Sequence, residues 1–159
     1  MTTRSVEGEM PPLELSETAH AEVTRLSEEG GRLESEGSLD GALAKYREGL
    51  ALLPAPMTNW EAATWLLSAI GDLEFQKGQF DSAIRALEKA LQCPGGLGNP
   101  FIHLRLGECL FEVGNQPAAM DELARAYMGA GGEIFSGEDP KYFQALRKVL
   151  KPPAGAMSL

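Results

Sequence analysis

Few side chains in this sequence have the types and spacing that metal or redox chemistry requires. Cys93 and Cys109 are too far apart in the chain for a redox or zinc motif. His20 and His103 are not accompanied by cysteines or carboxylates at ligand spacing. We therefore expect no metal site, and we interpret the two cysteines as buried or half-buried free thiols.

Two pairs of acidic residues are the remaining candidates for acid–base chemistry: Asp72 with Glu74, and Glu108 with Glu112. No cleft, histidine partner or phosphate loop accompanies these pairs, and acids paired on a helix are more often solvated than catalytic. The glycine-rich segment CPGGLGNP, residues 93–100, lacks the Lys-Ser/Thr of a phosphate-binding loop and does not follow a strand. The sequence thus predicts a protein without enzymatic activity and without a cofactor.

The composition is typical of a soluble acidic domain. The chain has 159 residues, 43% of them hydrophobic, and a formal net charge of −9. No apolar run approaches the roughly 18 residues of a membrane span, and the N-terminus lacks the basic start and apolar run of a secretory signal. We expect a cytoplasmic protein that binds no membrane and no nucleic acid, because phosphate binding requires clustered Lys and Arg. An acidic body suits a basic protein partner.

An internal repeat dictates where all these residues lie. A glycine is followed by a second glycine seven residues later, and then by a small, a large apolar and another small residue at fixed spacing. The three copies are Gly30, Gly37, Ala42, Tyr46 and Gly49; Gly71, Gly78, Ala83, Leu87 and Ala90; and Gly107, Gly114, Ala119, Leu123 and Ala126. The pattern resembles the tetratricopeptide repeat (TPR), a 34-residue helix-turn-helix unit with small residues where its two helices touch.

The resemblance implies an all-α fold, a TPR-like right-handed solenoid of three helix-turn-helix units plus a C-terminal capping helix. We expect one domain over residues 13–151, with units at about 23–56, 64–97 and 100–133 and the cap at 139–151. The helices are expected near 16–36, 39–53, 59–77, 80–92, 100–113, 116–129 and 140–151. Residues 1–12 are expected to be disordered and residues 152–159 to form a flexible tail.

The stretch GGEIFSGEDPKYF, residues 131–143, does not fit the repeat and is interpreted as the start of the cap. Asp139 and Pro140 favour the beginning of a helix. The residues that follow place one apolar stripe toward the stack, formed by Tyr142, Phe143, Leu146 and Leu150. Such a helix would cover the open end of the solenoid, as terminal repeats must.

In a TPR stack the first helix of each unit lines the concave groove, so groove residues can be read from positions 2, 5, 9 and 12. Unit one contributes Thr24, Ser27, Gly31 and Glu34. Units two and three contribute the predicted partner-binding residues: Trp65, Ser68, Asp72, Phe75, Phe101, Leu104, Glu108, Phe111 and the adjacent Glu112. The groove is therefore predicted to be aromatic and acidic, which is typical of a surface for a basic protein.

Some of these aromatic residues have a structural alternative. Phe75 and Phe111 occupy a position that is partly buried in TPR units, so either could pack between units as core. Trp60, in the lengthened loop before the second unit, could pin that loop to the body. The groove lacks the Lys, Arg and Asn with which some TPR domains hold the C-terminal carboxylate of a chaperone, so we do not expect a co-chaperone of that type.

Three segments resemble a more particular group of small bacterial TPR proteins. They are WEAATWLLSAIGDLEFQKGQF (60–80), GLGNPFIHLRLGECLFEVGN (96–115) and RAYMGAGGEIFSGEDPKYF (125–143). The resemblance covers roughly residues 58–145, whereas residues 1–57 match only as a degenerate TPR. Members of this group resemble immunity proteins of polymorphic toxin systems.

This resemblance implies a stoichiometric toxin inhibitor whose partner is a cognate protein toxin. Our hypothesis is that Trp65, Asp72, Phe101, Glu108 and Glu112 make much of the contact. Two alternatives stay open. Chaperones of type III secretion translocators are also acidic three-TPR proteins, and gene neighbours would separate the two functions. An enzyme is the third alternative, and activity of the chain without a partner would reveal it.

Overall fold

The computed structural model describes residues 14–150, which form seven α-helices. The helices are α1 (Glu17–Ser35), α2 (Leu39–Ala51), α3 (Glu61–Gln76), α4 (Phe80–Leu91), α5 (Pro100–Glu112), α6 (Gln116–Ala130) and α7 (Pro140–Val149). Short 3-10 turns at Met57–Asn59 and Gly132–Phe135 precede α3 and α7. All seven predicted helices are present, with ends within two residues of those expected. The expectations for residues 1–12 and 152–159 lie outside the described residues.

The helices pack in consecutive pairs, α1 with α2, α3 with α4 and α5 with α6, and each pair packs on the next. Glycine permits the close contact within a pair, because a Cβ added to Gly71 would lie 2.5 Å from Cγ of Leu87. The same arrangement recurs for Gly30 against Tyr46 (2.5 Å) and Gly107 against Leu123 (2.8 Å). The glycines that anchor the repeat are thus the points where the two helices of each unit touch.

The second glycine of each copy ends the first helix. Gly37, Gly78 and Gly114 have φ values of +80°, +73° and +84°, in the left-handed region. The backbone N–H of Gln79 donates to the carbonyl of Glu74 at 2.8 Å, and equivalent bonds close the other two units, which is the Schellman pattern of a helix end. The turn between the two helices is therefore encoded locally in every unit.

Two groups of buried residues form the core. The larger group joins the first two units to α5 and includes Leu43, Leu66 and Ile102. The smaller group joins the third unit to α7 and includes Leu123 and Leu146. Because the smaller group contains residues of the cap, α7 is part of the folded core.

The cap forms as the sequence indicates, except at its end. The side chain of Asp139 accepts a hydrogen bond from the backbone N–H of Lys141 at 3.0 Å and begins α7. Of the predicted apolar stripe, Tyr142 and Leu146 are buried, Phe143 is half-buried and Leu150 is exposed. Leu150 differs from the prediction because α7 ends at Val149 and Leu150 has extended backbone angles.

The loop before α3 and the link before α5 are both tied down. Trp60 is buried, and its indole N–H donates to the carbonyl of Pro54 at 2.7 Å, so it does pin the loop. The link is held by the buried His103 of α5. One ring nitrogen of His103 lies 2.6 Å from the carbonyl oxygen of Leu97 in the link, and the other lies 2.5 Å from a carboxylate oxygen of Glu122. These bonds hold both segments in place, and the link forms one edge of the site described next.

Candidate partner-binding site

A pocket of about 420 Å³ lies among the first helices of the three units. Half of its lining residues come from α3, and they include Glu61, Trp65 and Asp72. Glu34 of α1 and Phe101 of α5 lie on opposite sides, and one edge is formed by the link at residues 94–99. The pocket is therefore built from parts of all three units, and only the packed solenoid can assemble it.

One face of α3 presents the pocket side chains. Glu61, Trp65, Ser68 and Asp72 are separated by four, three and four residues, which places them on one side of a helix. Trp65 is 51% exposed, and its ring meets that of Tyr46 edge to face, with centroids 5.4 Å apart. Trp65 is thus a large aromatic side chain held in place by the fold while half of its surface is open.

Ser68 lies deeper than its neighbours on this face. Its side chain is buried, and its hydroxyl donates to the backbone carbonyl of Thr64 at 2.6 Å. The hydroxyl of Thr64 in turn donates to the carbonyl of Pro94 at 2.7 Å, which fastens the link to α3. Ser68 therefore belongs to the support of the pocket wall more than to its open surface.

The carboxylates of the pocket differ in how they are paired. Glu34 accepts a hydrogen bond from the hydroxyl of Tyr46 at 3.0 Å. Burial, with help from Glu34, raises the pKa of Tyr46 to about 12, so this donor stays protonated at neutral pH. Glu61 is exposed in the first turn of α3, and its carboxylate has no side-chain partner among residues 14–150. The side of the pocket near α1, where Glu34 lies, and the first turn of α3 therefore carry negative charge that no Lys or Arg among residues 14–150 compensates.

A basic residue that the groove prediction omitted, Arg105, changes the other side. Its Nε atom lies 2.9 Å from Oδ1 of Asp72, although the N–H does not point at that oxygen, so this contact is ionic and not a hydrogen bond. One terminal nitrogen donates to Glu108 at 2.9 Å and to Glu138 at 2.8 Å. Arg105 thus ties α3, α5 and the segment before α7 together.

Aromatic rings complete the surroundings of this guanidinium. The central carbon of Arg105 lies 4.6 Å from the ring centroid of Phe75 and 5.2 Å from that of Phe101. Phe75 also packs against both groups of core residues, which agrees with the alternative that it packs between units as core. Phe101 is half-buried and keeps one side in the pocket.

Two of the predicted contact residues are inaccessible in this structure. Leu104 is 1% exposed and Glu108 is 0% exposed, because α5 is covered by the cap segment. Burial raises the pKa of the Glu108 carboxyl to about 9, the neighbouring Glu138 adds to that rise, and Arg105 opposes it without cancelling it. Glu108 is therefore a neutral, buried hydrogen-bonding group at pH 7.

The end of α5 is likewise engaged by the cap. One oxygen of Glu112 lies 2.6 Å from the hydroxyl of Tyr142 and 2.6 Å from the ammonium of Lys141. Partial burial tends to raise the pKa of Glu112, but these two bonds lower it below its ordinary value. Phe111 meets the ring of Tyr142 edge to face, with centroids 5.2 Å apart, and so packs as core.

The predicted groove therefore divides into an open half and a covered half. Trp65, Asp72 and Phe101 line the open pocket, with Ser68 behind them. The covered half contains Phe75, Leu104, Glu108, Phe111 and Glu112. One signal in the sequence could have indicated this division of the groove. Arg105 precedes Glu108 by three residues on the same helix, so the two side chains can pair with each other instead of facing a partner protein.

Two properties of the described chain bear on the class of site. Within residues 14–150, no three His, Cys, Asp or Glu side chains are grouped so that they could hold a metal ion. No helix in the same range combines the length and apolar character needed to cross a membrane.

Comparison with known proteins identifies the fold. No family model and no curated protein sequence matches the chain. Two solved structures of the type III secretion translocator chaperone SycD from Yersinia enterocolitica are similar to it. One, an alternative dimer, has a TM-score of 0.65 at 17% identity. The other, in complex with a peptide of the translocator YopD, has a TM-score of 0.66 at 16% identity. Each covers 84% of this chain and 95% of the SycD chain.

A third similar structure comes from a different kind of protein. The C-terminal TPR-containing domain of an FK506-binding protein from Plasmodium falciparum has a TM-score of 0.66 at 14% identity, covering 85% of this chain and 90% of that one. At these identities the likeness concerns the fold alone. Together with the seven packed helices it confirms the all-α, TPR-like solenoid and its capping helix.

Proposed function

We propose that this chain is a protein-binding scaffold that holds a partner polypeptide in the pocket between α1, α3 and α5. The observation that carries the proposal is Trp65, a half-exposed indole beside the unpaired carboxylate of Glu61 in a concave pocket. Large aromatic side chains are the usual anchors of protein interfaces. An exposed one that the fold holds rigidly loses little conformational freedom when a partner covers it.

The specific form of the proposal is an immunity protein that neutralises a cognate secreted toxin in the cytoplasm. Among residues 14–150, the charged side chains that line the pocket are Glu34, Glu61 and Asp72, and none is basic, so the pocket complements a positively charged surface. Toxins that are nucleases have such surfaces where they contact phosphates. Binding one to one would cover the toxin's active site or hold the toxin inactive, and no turnover is involved.

A chaperone of a bacterial secretion system is the second candidate. The observation that favours it is the fold of SycD, which matches this chain over 84% of its length and which in one structure holds a peptide of the translocator YopD. A chaperone would bind an exposed segment of its client before secretion. Neighbouring genes distinguish the candidates, since a toxin gene favours immunity and genes of a secretion apparatus favour the chaperone.

The first experiment asks whether the pocket binds the partner. The tagged chain and its Trp65→Ala and Phe101→Ala variants are expressed in the native cells, and proteins that co-purify at one-to-one stoichiometry are identified. We expect each variant to weaken partner binding by about tenfold or more, because truncation of an aromatic anchor costs over about 1.4 kcal/mol. Met128→Ala is the matched control, since Met128 is a 76% exposed apolar residue on α6, away from the pocket.

The second experiment distinguishes the two candidate functions. The captured partner is expressed in a host cell with and without this chain. Rescue of growth that depends on Trp65 supports an immunity protein. A partner that is harmless alone but requires the chain for solubility or secretion supports the chaperone. A partner whose binding is equal for Trp65→Ala and Met128→Ala would contradict the proposed site.

A further inference from the structure

The two sides of the pocket differ in charge. On the side near α5, Asp72 is compensated by Arg105. On the side near α1, Glu34 has only the neutral hydroxyl of Tyr46 as a partner among the described residues. Glu61, in the first turn of α3, has no side-chain partner among them. No Lys, Arg or His of the described residues lines the pocket. Glu34 and Glu61, which line the pocket together with Trp65, therefore have no cationic side chain to bind among the described residues.

The neighbouring site shows how this surface accommodates a guanidinium. Arg105 lies over the rings of Phe75 and Phe101, and it is within ion-pair distance of Asp72 and Glu138. Burial acts to lower the pKa of this guanidinium, but Glu108, Asp72 and Glu138 together raise it above its ordinary value, so Arg105 stays charged. An aromatic ring beside a carboxylate is thus an arrangement that, in this fold, already holds one arginine.

From these observations we propose that the pocket is an arginine subsite: one arginine side chain of the partner stacks on Trp65 and forms ion pairs with Glu61 and Glu34. The inference rests on the proposed function, in which a partner polypeptide occupies the pocket. It adds the chemistry that the partner must offer there. Glu61 precedes Trp65 by four residues, so its carboxylate lies one helical turn away on the same face of α3.

Arginine fits these groups better than lysine does. Its guanidinium is planar, weakly hydrated and able to stack on an aromatic ring while it donates to a carboxylate at its edge. The lysine ammonium is a compact, strongly hydrated charge that gains less from the ring. A pocket of about 420 Å³ also lies near the small end of the range for ligand sites, about 300–1,000 Å³, which suits one long side chain and its flanking backbone.

The test uses blocked tripeptides that differ at the central residue only. Ac-Ala-Arg-Ala-NH₂ is titrated into the ¹⁵N-labelled full chain, and the lysine and citrulline peptides follow. Citrulline is the matched control because it keeps the shape of arginine without the charge. The indole N–H signal of Trp65 reports binding, and that of the buried Trp60 is the internal reference.

We expect the arginine peptide to shift the Trp65 signal without shifting that of Trp60. It should bind several-fold tighter than the lysine peptide and about tenfold tighter than the citrulline peptide, from the summed ion-pair and cation–π contributions. Glu61→Gln should weaken binding of the arginine peptide about threefold. Trp65→Leu, in which backbone amide signals of α3 replace the lost indole signal as the reporter, should abolish it. Glu88→Gln, an exposed neutralisation on α4, should leave it unchanged.

Equal binding of the arginine and citrulline peptides, or no effect of Glu61→Gln, would overturn the arginine subsite. The outcome for the proposed function is separate. If Trp65→Ala loses the captured partner but the pocket does not prefer arginine, the proposal of a protein-binding scaffold is supported and the proposal of an arginine subsite is wrong. If the arginine peptide binds at Trp65 but partner binding is indifferent to Trp65→Ala, the partner binds elsewhere and the proposed function fails at this pocket.

Discussion

Replacing Glu108 by glutamine should make the protein more stable at neutral pH, with a gain that grows as the pH rises. The Glu108 carboxyl is fully buried, and its pKa is raised from 4.5 to about 9 by burial, assisted by Glu138 from the segment before α7. Arg105, on the same helix, opposes the rise. Glutamine keeps the shape, can still accept from Arg105 and does not titrate.

The sign and size of the expected change in the free energy of unfolding follow from proton linkage. Between its unfolded and folded pKa values, Glu108 binds a proton in the folded state only, so wild-type stability falls as the pH rises through that interval. From about pH 5.5 to about pH 8 this amounts to about 3 kcal/mol. The glutamine variant lacks this loss. Titrating groups that do not interact with Glu108 contribute equally to both proteins and cancel in the difference.

The assay is urea unfolding followed by far-ultraviolet circular dichroism at several pH values above the isoelectric point of about 4.7. The free energy of unfolding of Glu108→Gln minus that of the wild type should increase by about 3 kcal/mol over the interval. For Glu88→Gln, on the exposed face of α4, the difference in the free energy of unfolding from the wild type should be the same at every pH. The reasoning is refuted if the Glu108→Gln variant is less stable by a constant amount at every pH, since that result would mean that Glu108 is ionised and that its pair with Arg105 dominates.

Two further predictions concern stability and are checked by the same unfolding assay. Gly31→Ala should stabilise the protein by about 0.5–1 kcal/mol through helix propensity, whereas Gly30→Ala should be about 1–3 kcal/mol less stable than Gly31→Ala. The reason is that a Cβ at Gly30 would lie 2.5 Å from the ring of Tyr46, and one at Gly31 would lie 3.9 Å from its hydroxyl; equal stabilities would contradict the close contact. Tyr142→Phe should cost about 1–2 kcal/mol, because it removes the 2.6 Å hydrogen bond to Glu112 that holds the cap; an unchanged unfolding midpoint would show that the cap does not depend on this bond.

The sequence predicted the helices and their turns well because each unit encodes them locally. Gly71 and Gly78 illustrate this, since one allows the contact with Leu87 and the other supplies the positive φ that ends the helix. Both effects involve residues close together in the chain and recur at the same spacing in all three units. The start of the cap was predictable for the same reason, because Asp139 bonds to a backbone group two residues away.

The open surface of the groove was less predictable. Reading positions along the first helices identified Trp65 and Asp72 correctly as pocket residues, because both lie on one face of α3. The same reading treated Glu108 and Glu112 as open, although the cap covers one and bonds to the other. A helical position indicates which face a residue occupies, and it does not tell whether another segment lies on that face.

By itself, the sequence determined the repeat, the seven helices, the closely packed glycines and the acidic, aromatic character of the first helices, since all of these depend on residue type and local spacing. Only the tertiary structure decided which acids keep their charge and remain open. Arg105 lies 33 residues from both Asp72 and Glu138 in the chain, and it meets them because α3, α5 and the cap segment pack together. Charge compensation depends on distances in space, and those distances exist only once the units have stacked.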